Sequence, residues 1–193
     1  MSILKALVGG LRSPDRIRHK GKRLSEILDA HAKFVRGDDA GIRADLAGAD
    51  LSRADLHKMN LAYVNLQGAN LTRANLREAR LISADFAKAK LHRADLRKSD
   101  LTEANLSEAD LSEAQVGGAE LFRADLRRAN LRCANFGATN FRQADVTGAD
   151  FAGAILQTTI LRETNLDGVD LSGVDLTTTL LPPGYKRSSA ASG

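Results

Sequence analysis

The chain has 193 residues, a single domain's length, with 43% hydrophobic but only 4% aromatic residues and no Trp. Its net charge of +4 divides into +5 over residues 1–43, −3 over 44–178 and +2 in the tail. The lone cysteine, Cys133, excludes an intrachain disulfide, and no stretch reaches the roughly 18 apolar residues of a membrane span, so a cytoplasmic, reducing location is expected.

Residues 1–23 read as a basic amphipathic segment. Ile3, Leu4, Leu7, Val8 and Leu11 share one face of a helix over 2–12, and Arg12, Arg16, Arg18, Lys20, Lys22 and Arg23 follow with only Asp15 opposing them. Docking on an anionic membrane or nucleic acid is one reading, and a frayed or cap-packed helix with a solvated linker is the other. Met1 to Leu11 lacks the cationic start and long apolar core of a cleaved signal peptide. Residues 24–43 read as a capping helix and entry turn. Leu24, Ile27, Leu28, His31, Phe34 and Val35 lie on one helical face, and Gly37 stops it. His31 on that face reads as a satisfied core histidine.

From residue 44 the period becomes five, as in ADLAG-ADLSR-ADLHK. A large apolar centre recurs without insertion from Leu46 to Leu176, giving 27 repeats; the centres are Leu except Phe86, Val116, Phe136, Phe141, Val146 and Phe151. A small residue, usually Ala, stands two positions earlier, Asp or Asn lies between, and polar residues or Gly follow. A spacing of two places both apolar residues on one strand face, and the next three residues must turn a corner. Neither a 3.6-residue helix nor a continuous strand fits that rhythm, whereas a solenoid of short strands does. Pro14, Pro182 and Pro183 all lie outside the repeats, as backbone N–H bonding between coils requires. Asp or Asn before the centre suits hydrogen bonding to the turn backbone.

These A(D/N)LXX units resemble the pentapeptide-repeat family over about 70% of the chain. The resemblance implies an all-β solenoid, a right-handed quadrilateral parallel β-helix with an N-terminal α-helical cap, spanning 44–181 and followed by a disordered tail, 182–193. Four repeats per coil give about 6.75 coils and a rod roughly 32 Å long at ~4.8 Å per coil. Charge ladders do not fix that number: spacings of 20 and 15 each give six opposite-sign and two like-sign pairs. Some family members dimerise at the C-terminal end; Val169, Val174, Leu180 and Leu181 suit either a homodimer contact or a lid.

No catalytic, metal or cofactor motif occurs. The Asp residues recur at the turn-forming position, and Cys133 lies outward near Arg127, Arg128 and Arg132 without a base. A non-enzyme without cofactor is therefore expected. Outward apolar residues in the repeats are Tyr63, Ile82, Phe122, Ile155 and Ile160, of which all but Ile155 belong to the face of Leu61, Leu81, Leu101, Leu121, Phe141 and Leu161. Arg53, Arg73 and Arg93 form a basic column that an acidic partner or polyanion would relieve. The first functional reading is a rigid scaffold binding a protein partner through these apolar and basic residues. The resemblance supplies a second, a DNA-mimicking modulator of gyrase or another type II topoisomerase, like the quinolone-resistance members. A body of −3 and the absence of a loop interrupting the coils oppose it. The third is a peripheral membrane or nucleic-acid contact through residues 1–23.

Overall fold

In the computed structural model, which describes residues 10–185, the repeats share one backbone hydrogen-bonding scheme through most of the rod. Four of the five N–H groups of such a repeat meet backbone carbonyls. The centre donates to the next coil (Leu46 N–H to the Asn65 carbonyl, 2.8 Å), as does the second residue after it (Gly48 to Gln67, 2.9 Å). The following small residue closes the corner onto the centre (Ala49 to Leu46, 3.0 Å), and the residue before a centre donates to the preceding coil (Asn65 to Ala44, 3.1 Å). Where Asp or Asn precedes the centre, its side chain takes the fifth N–H, just after the centre: Ser52 N–H to Asp50 Oδ1 at 3.1 Å, Arg127 N–H to Asp125 Oδ1 at 3.0 Å. A buried or half-buried amide left unpaired is costly, so this accounting explains both the Asp/Asn requirement and the exclusion of proline.

Parallel bridges join residues 20 apart, from Asp45↔Asn65 to Ile160↔Leu180. Four repeats therefore make one coil. The second residue after each centre has positive φ from Gly48 to Gly173, as the third position of a type II turn requires. At most corners it is not glycine: Arg53, Lys58, Glu78, Arg93 and Glu108 all adopt φ near +57 to +60.

Inside, the centres and small residues stack into buried columns. Threonines in the small-residue column are satisfied by carbonyls of the preceding coil, Thr139 Oγ1 donating to Val116 at 3.0 Å and Thr159 Oγ1 to Phe136 at 2.7 Å. One coil concentrates the aromatic volume: Phe136, Phe141 and Phe151 point inward from three sides with Val146 on the fourth, and the Phe136 and Phe141 rings meet edge to face at 5.1 Å.

Before the solenoid, a single 3-10 turn, Pro14–Arg16, leads into a two-residue hairpin, β1 (Arg18–His19) and β2 (Lys22–Arg23), and then the helix α1, Leu24–Arg36. Lys20 and Gly21 both have positive φ, the mark of a type I′ turn. Glu26 accepts the Arg23 N–H at 3.2 Å, and Gly37 ends α1 at φ 81. Leu24 and Leu28 on the apolar face of α1, and Ile17 before it, are buried in the same core as the first coils. The helix expected over 2–12 falls mostly outside the described residues. Its end differs: Arg12 is extended, bridging Ala54, with its N–H on the Arg53 carbonyl and its carbonyl accepting from Asp55. The edge amides and carbonyls of the first coil supply the partners that a helix would otherwise have supplied. Residues 182–185, grouped with the tail by the sequence, form a turn closed by Tyr185 N–H to the Pro182 carbonyl at 3.2 Å, with Tyr185 against the core; residues 186–193 lie outside the described range.

His31 is fully buried, and only one of its nitrogens is partnered. Nδ1 accepts the Ala44 N–H at 3.1 Å, while Nε2 has no partner among the described residues. Burial pushes its pKa below 6.5, the Arg43 charge adds to that, and the Ala62 backbone only partly offsets them. The unfolded chain therefore binds the proton more readily than the native one, so this group's stabilisation is complete above about pH 6.5 and is lost as pH falls through the lower native value. Urea midpoints are expected to fall between pH 7.5 and 5, and His31→Asn, which keeps an acceptor for Ala44, should flatten that slope.

Candidate functional site

The four sides of the rod present different chemistry because residues 20 apart stack. On the side built over Leu61, Leu81, Leu101 and Leu121, the residues following each centre form a column: Ala62 is buried, and Ile82, Thr102 and Phe122 are half-buried. Beside it runs a polar ladder whose members hold one another. Ser83 donates to Glu103 (3.3 Å), Arg123 lies 4.0 Å from Glu103 and donates to Gln143 (2.9 Å), and Gln143 donates to Glu163 (2.8 Å). The Arg123 guanidinium also covers the Phe122 ring at 4.9 Å. Side chains fixed in this way lose little freedom when a partner arrives.

The other apolar candidates do not continue that column. Tyr63, 49% exposed, occupies the corner position that the polar ladder uses further along. Ile160 lies in the strand column, bridged to Leu180, near the opposite end of the rod. The structure thus brings Ile82 and Phe122 into one column and leaves Tyr63 and Ile160 apart from them.

Arg53, Arg73 and Arg93 do stack at successive corners, but the column ends on an acid: Arg93 grips Glu113 at 2.7 Å. The Arg93 guanidinium, with His92 and Arg73 adding, holds the Glu113 carboxyl below its usual range. This belongs to a wider pattern. Residues 99–122, about one coil, contain Asp100, Glu103, Glu108, Asp110, Glu113 and Glu120 and no Lys or Arg. The flanking coils are basic, and Lys88–Glu108, Arg93–Glu113 and Arg123–Glu103 pair across the boundaries. Sequence reasoning by columns missed this belt; the run of 24 residues without a cation was its visible signal.

Several other polar groups are committed to structure. Arg127 bonds Asp125 at 2.6 Å and reaches Asp145 at 3.7 Å, separating two stacked carboxylates and holding Asp125 ionised below its ordinary range against the opposing effect of burial. His57 contacts Asp55 and His92 contacts Ser112, on different sides. Cys133 is exposed, but Arg127 and Arg132 turn to Asp125 and Asp150 instead. Among the described residues no cluster of His, Cys, Asp or Glu is arranged to hold a metal, and no helix is long and apolar enough to cross a membrane.

A family model, pentapeptide repeats, matches eight copies over residues 42–78, 74–118, 119–157 and 147–181. Among solved structures, the chain is similar to HetL, a pentapeptide repeat protein involved in heterocyst differentiation regulation from the cyanobacterium Nostoc sp. strain PCC 7120. Identity is 30%, with 72% of this chain and 81% of HetL covered and a TM-score of 0.37. A second Nostoc pentapeptide repeat protein is 34% identical over 48% of this chain and 77% of its own, with a TM-score of 0.45. QnrB1, a plasmid-mediated fluoroquinolone resistance protein, is 21% identical over 71% of this chain and 79% of its own, with a TM-score of 0.48. No curated protein sequence matches. With the family model spanning most of the chain and a coil closing every four repeats, this protein belongs to the pentapeptide-repeat family, whose fold is the right-handed quadrilateral β-helix.

Proposed function

We propose that this protein is a rigid, non-enzymatic scaffold that binds a partner protein through the side carrying Ile82 and Phe122. The observation that carries this reading is the half-buried apolar column Ala62–Ile82–Thr102–Phe122 running beside a self-bonded polar ladder. An apolar centre edged by fixed polar groups is the anatomy of a protein interface. The basic column of Arg53 and Arg73 lies at a corner that does not border this side, so it takes no part in the proposed interface. A reducing, cytoplasmic setting accords with the single cysteine.

A photoreactive residue at position 102 should capture a protein adduct in cells, and one at position 147, on another side, should not. With the captured partner in hand, Phe122→Asp is expected to weaken binding at least about 30-fold, the ~2 kcal/mol of a hot-spot residue, with the unfolding midpoint unchanged. Unaltered affinity in that folded variant rejects the face. Mimicry of DNA toward a topoisomerase is the weaker reading, because carboxylates crowd one coil only and Glu103, Glu108 and Glu113 there already face cations.

We also assign residues 10–43 the role of a cap on the first coil. Arg12 occupies the open edge at Ala54 and pairs with Asp50 at 3.1 Å, and Lys20 pairs with Asp45 at 2.5 Å. Two cations of the basic run are thereby spent on the exposed carboxylates of the first coil. A covered edge suppresses unwanted strand addition.

A further inference from the structure

Between the hairpin and α1 lies a recess of about 210 Å³ that the scaffold reading does not use. Its lining is mainly apolar, with Ile27 and Ala30 of α1 on one side and Ile42, 63% exposed, on the other. Cations gather at its rim. His19 and Lys22 are direct cross-strand partners on one side of the hairpin, and Arg43, whose Nε donates to the Tyr63 carbonyl, also lines the recess. Two carboxylates also reach the rim, but Asp45 is neutralised by Lys20 at 2.5 Å, and Glu26 accepts the Arg23 N–H at 3.2 Å. The charges of Lys22 and Arg43 therefore exceed that of Glu26, and Arg16, Arg18 and Arg23 nearby raise the positive potential further.

An apolar floor and a cationic rim select for one ligand chemistry. A purely apolar ligand would leave the cations unanswered, and a bare anion would leave Ile27 and Ile42 wet.

We propose that this recess binds an anionic amphiphile, with a short aliphatic chain lying on Ile27, Ala30 and Ile42 and a phosphate or carboxylate head between Lys22 and Arg43. The chemistry is that of a free acyl or alkyl anion and of an anionic bilayer lipid alike, so the test separates the two.

Calorimetric titration of the full chain with octyl phosphate, below its micellar concentration, should give one site. Octyl glucoside and inorganic phosphate, which each carry half of the ligand, should bind at least tenfold more weakly. Lys22→Glu and Ile42→Asp, both at exposed positions, should each weaken octyl phosphate at least tenfold while circular dichroism and the unfolding midpoint stay as in the parent, and Phe122→Asp should leave it unchanged. Equal binding of octyl glucoside, or undiminished binding in the two recess variants, overturns the proposal. Co-sedimentation with phosphatidylglycerol vesicles but not phosphatidylcholine vesicles identifies a bilayer lipid as the source. Octyl phosphate binding without sedimentation identifies a free amphiphile.

Discussion

Phe141→Ala is expected to destabilise the protein by about 3–5 kcal/mol, read from urea unfolding with the slope unchanged. The reason lies in how the 136–151 coil is filled. Elsewhere at most one phenylalanine, Phe86, joins the branched aliphatic centres, but here three phenylalanines and Val146 share the cross-section, and the Phe141 ring touches both Phe136 at 5.1 Å and Phe151 at 6.3 Å. Removing one ring takes a contact surface from the other two. The coils above and below cannot collapse into the gap, because their backbones are pinned to this coil by hydrogen bonds such as Phe141 N–H to Ile160 and Leu121 N–H to Asn140. A rigid frame keeps the cavity open, and open cavities carry the larger penalties. A loss below about 1 kcal/mol would mean that the coil repacks, contrary to this account.

Gly41→Ala should be damaging for the opposite reason. A Cβ at this position would lie 2.2 Å from the backbone nitrogen of Phe34 and 2.3 Å from its Cα, inside the last turns of α1. Backbone cannot rotate aside as a side chain can, so the loop carrying Ile42 N–H to the Ala30 carbonyl must detach. A cost of about 3 kcal/mol or more is expected, at the upper end for overpacking. Gly48→Ala provides the comparison: its φ is 66 but nothing lies within 4 Å, so only the left-handed backbone penalty of about 1–2 kcal/mol applies. If the two variants melted together, the close approach at Phe34 would not be what fixes Gly41.

The parts of the fold that were readable from sequence are those where one residue type has one job in every repeat. Leu, Phe or Val faces inward at each centre, and in most repeats Asp or Asn meets the amide two residues on, so both roles recur at a spacing of five. The number of sides was not readable from charge. Lys58–Glu78 and Lys88–Glu108 pair across coils, but Arg97–Asp95 and Arg127–Asp125 pair within a repeat, Arg77 turns to its neighbour Glu78, and Arg132–Asp150 runs diagonally. Long cations choose among several acids, and that choice blurs any single spacing. Glycines confined to the two positions after a centre marked the corners, but Arg, Lys and Glu at positive φ left no such trace at most of them. The basic run before α1 suggested unopposed charge, yet Arg12 and Lys20 meet Asp50 and Asp45 once the chain folds back on the first coil. Ile82 and Phe122 were recognisable as one group; Tyr63 and Ile160 were grouped with them only because the side of the rod was known and the column within it was not.

The twenty-residue bridging also sets how such a chain can change length. Excising a whole turn, four units, would shorten the column and leave every downstream side chain pointing the same way. Excising a single unit would keep Leu over Leu and satisfy the same amides, yet swing everything beyond it by a quarter revolution, parting Phe122 from Ile82. Orientation, and with it any surface composed from distant units, is written in multiples of twenty while the interior counts only in fives.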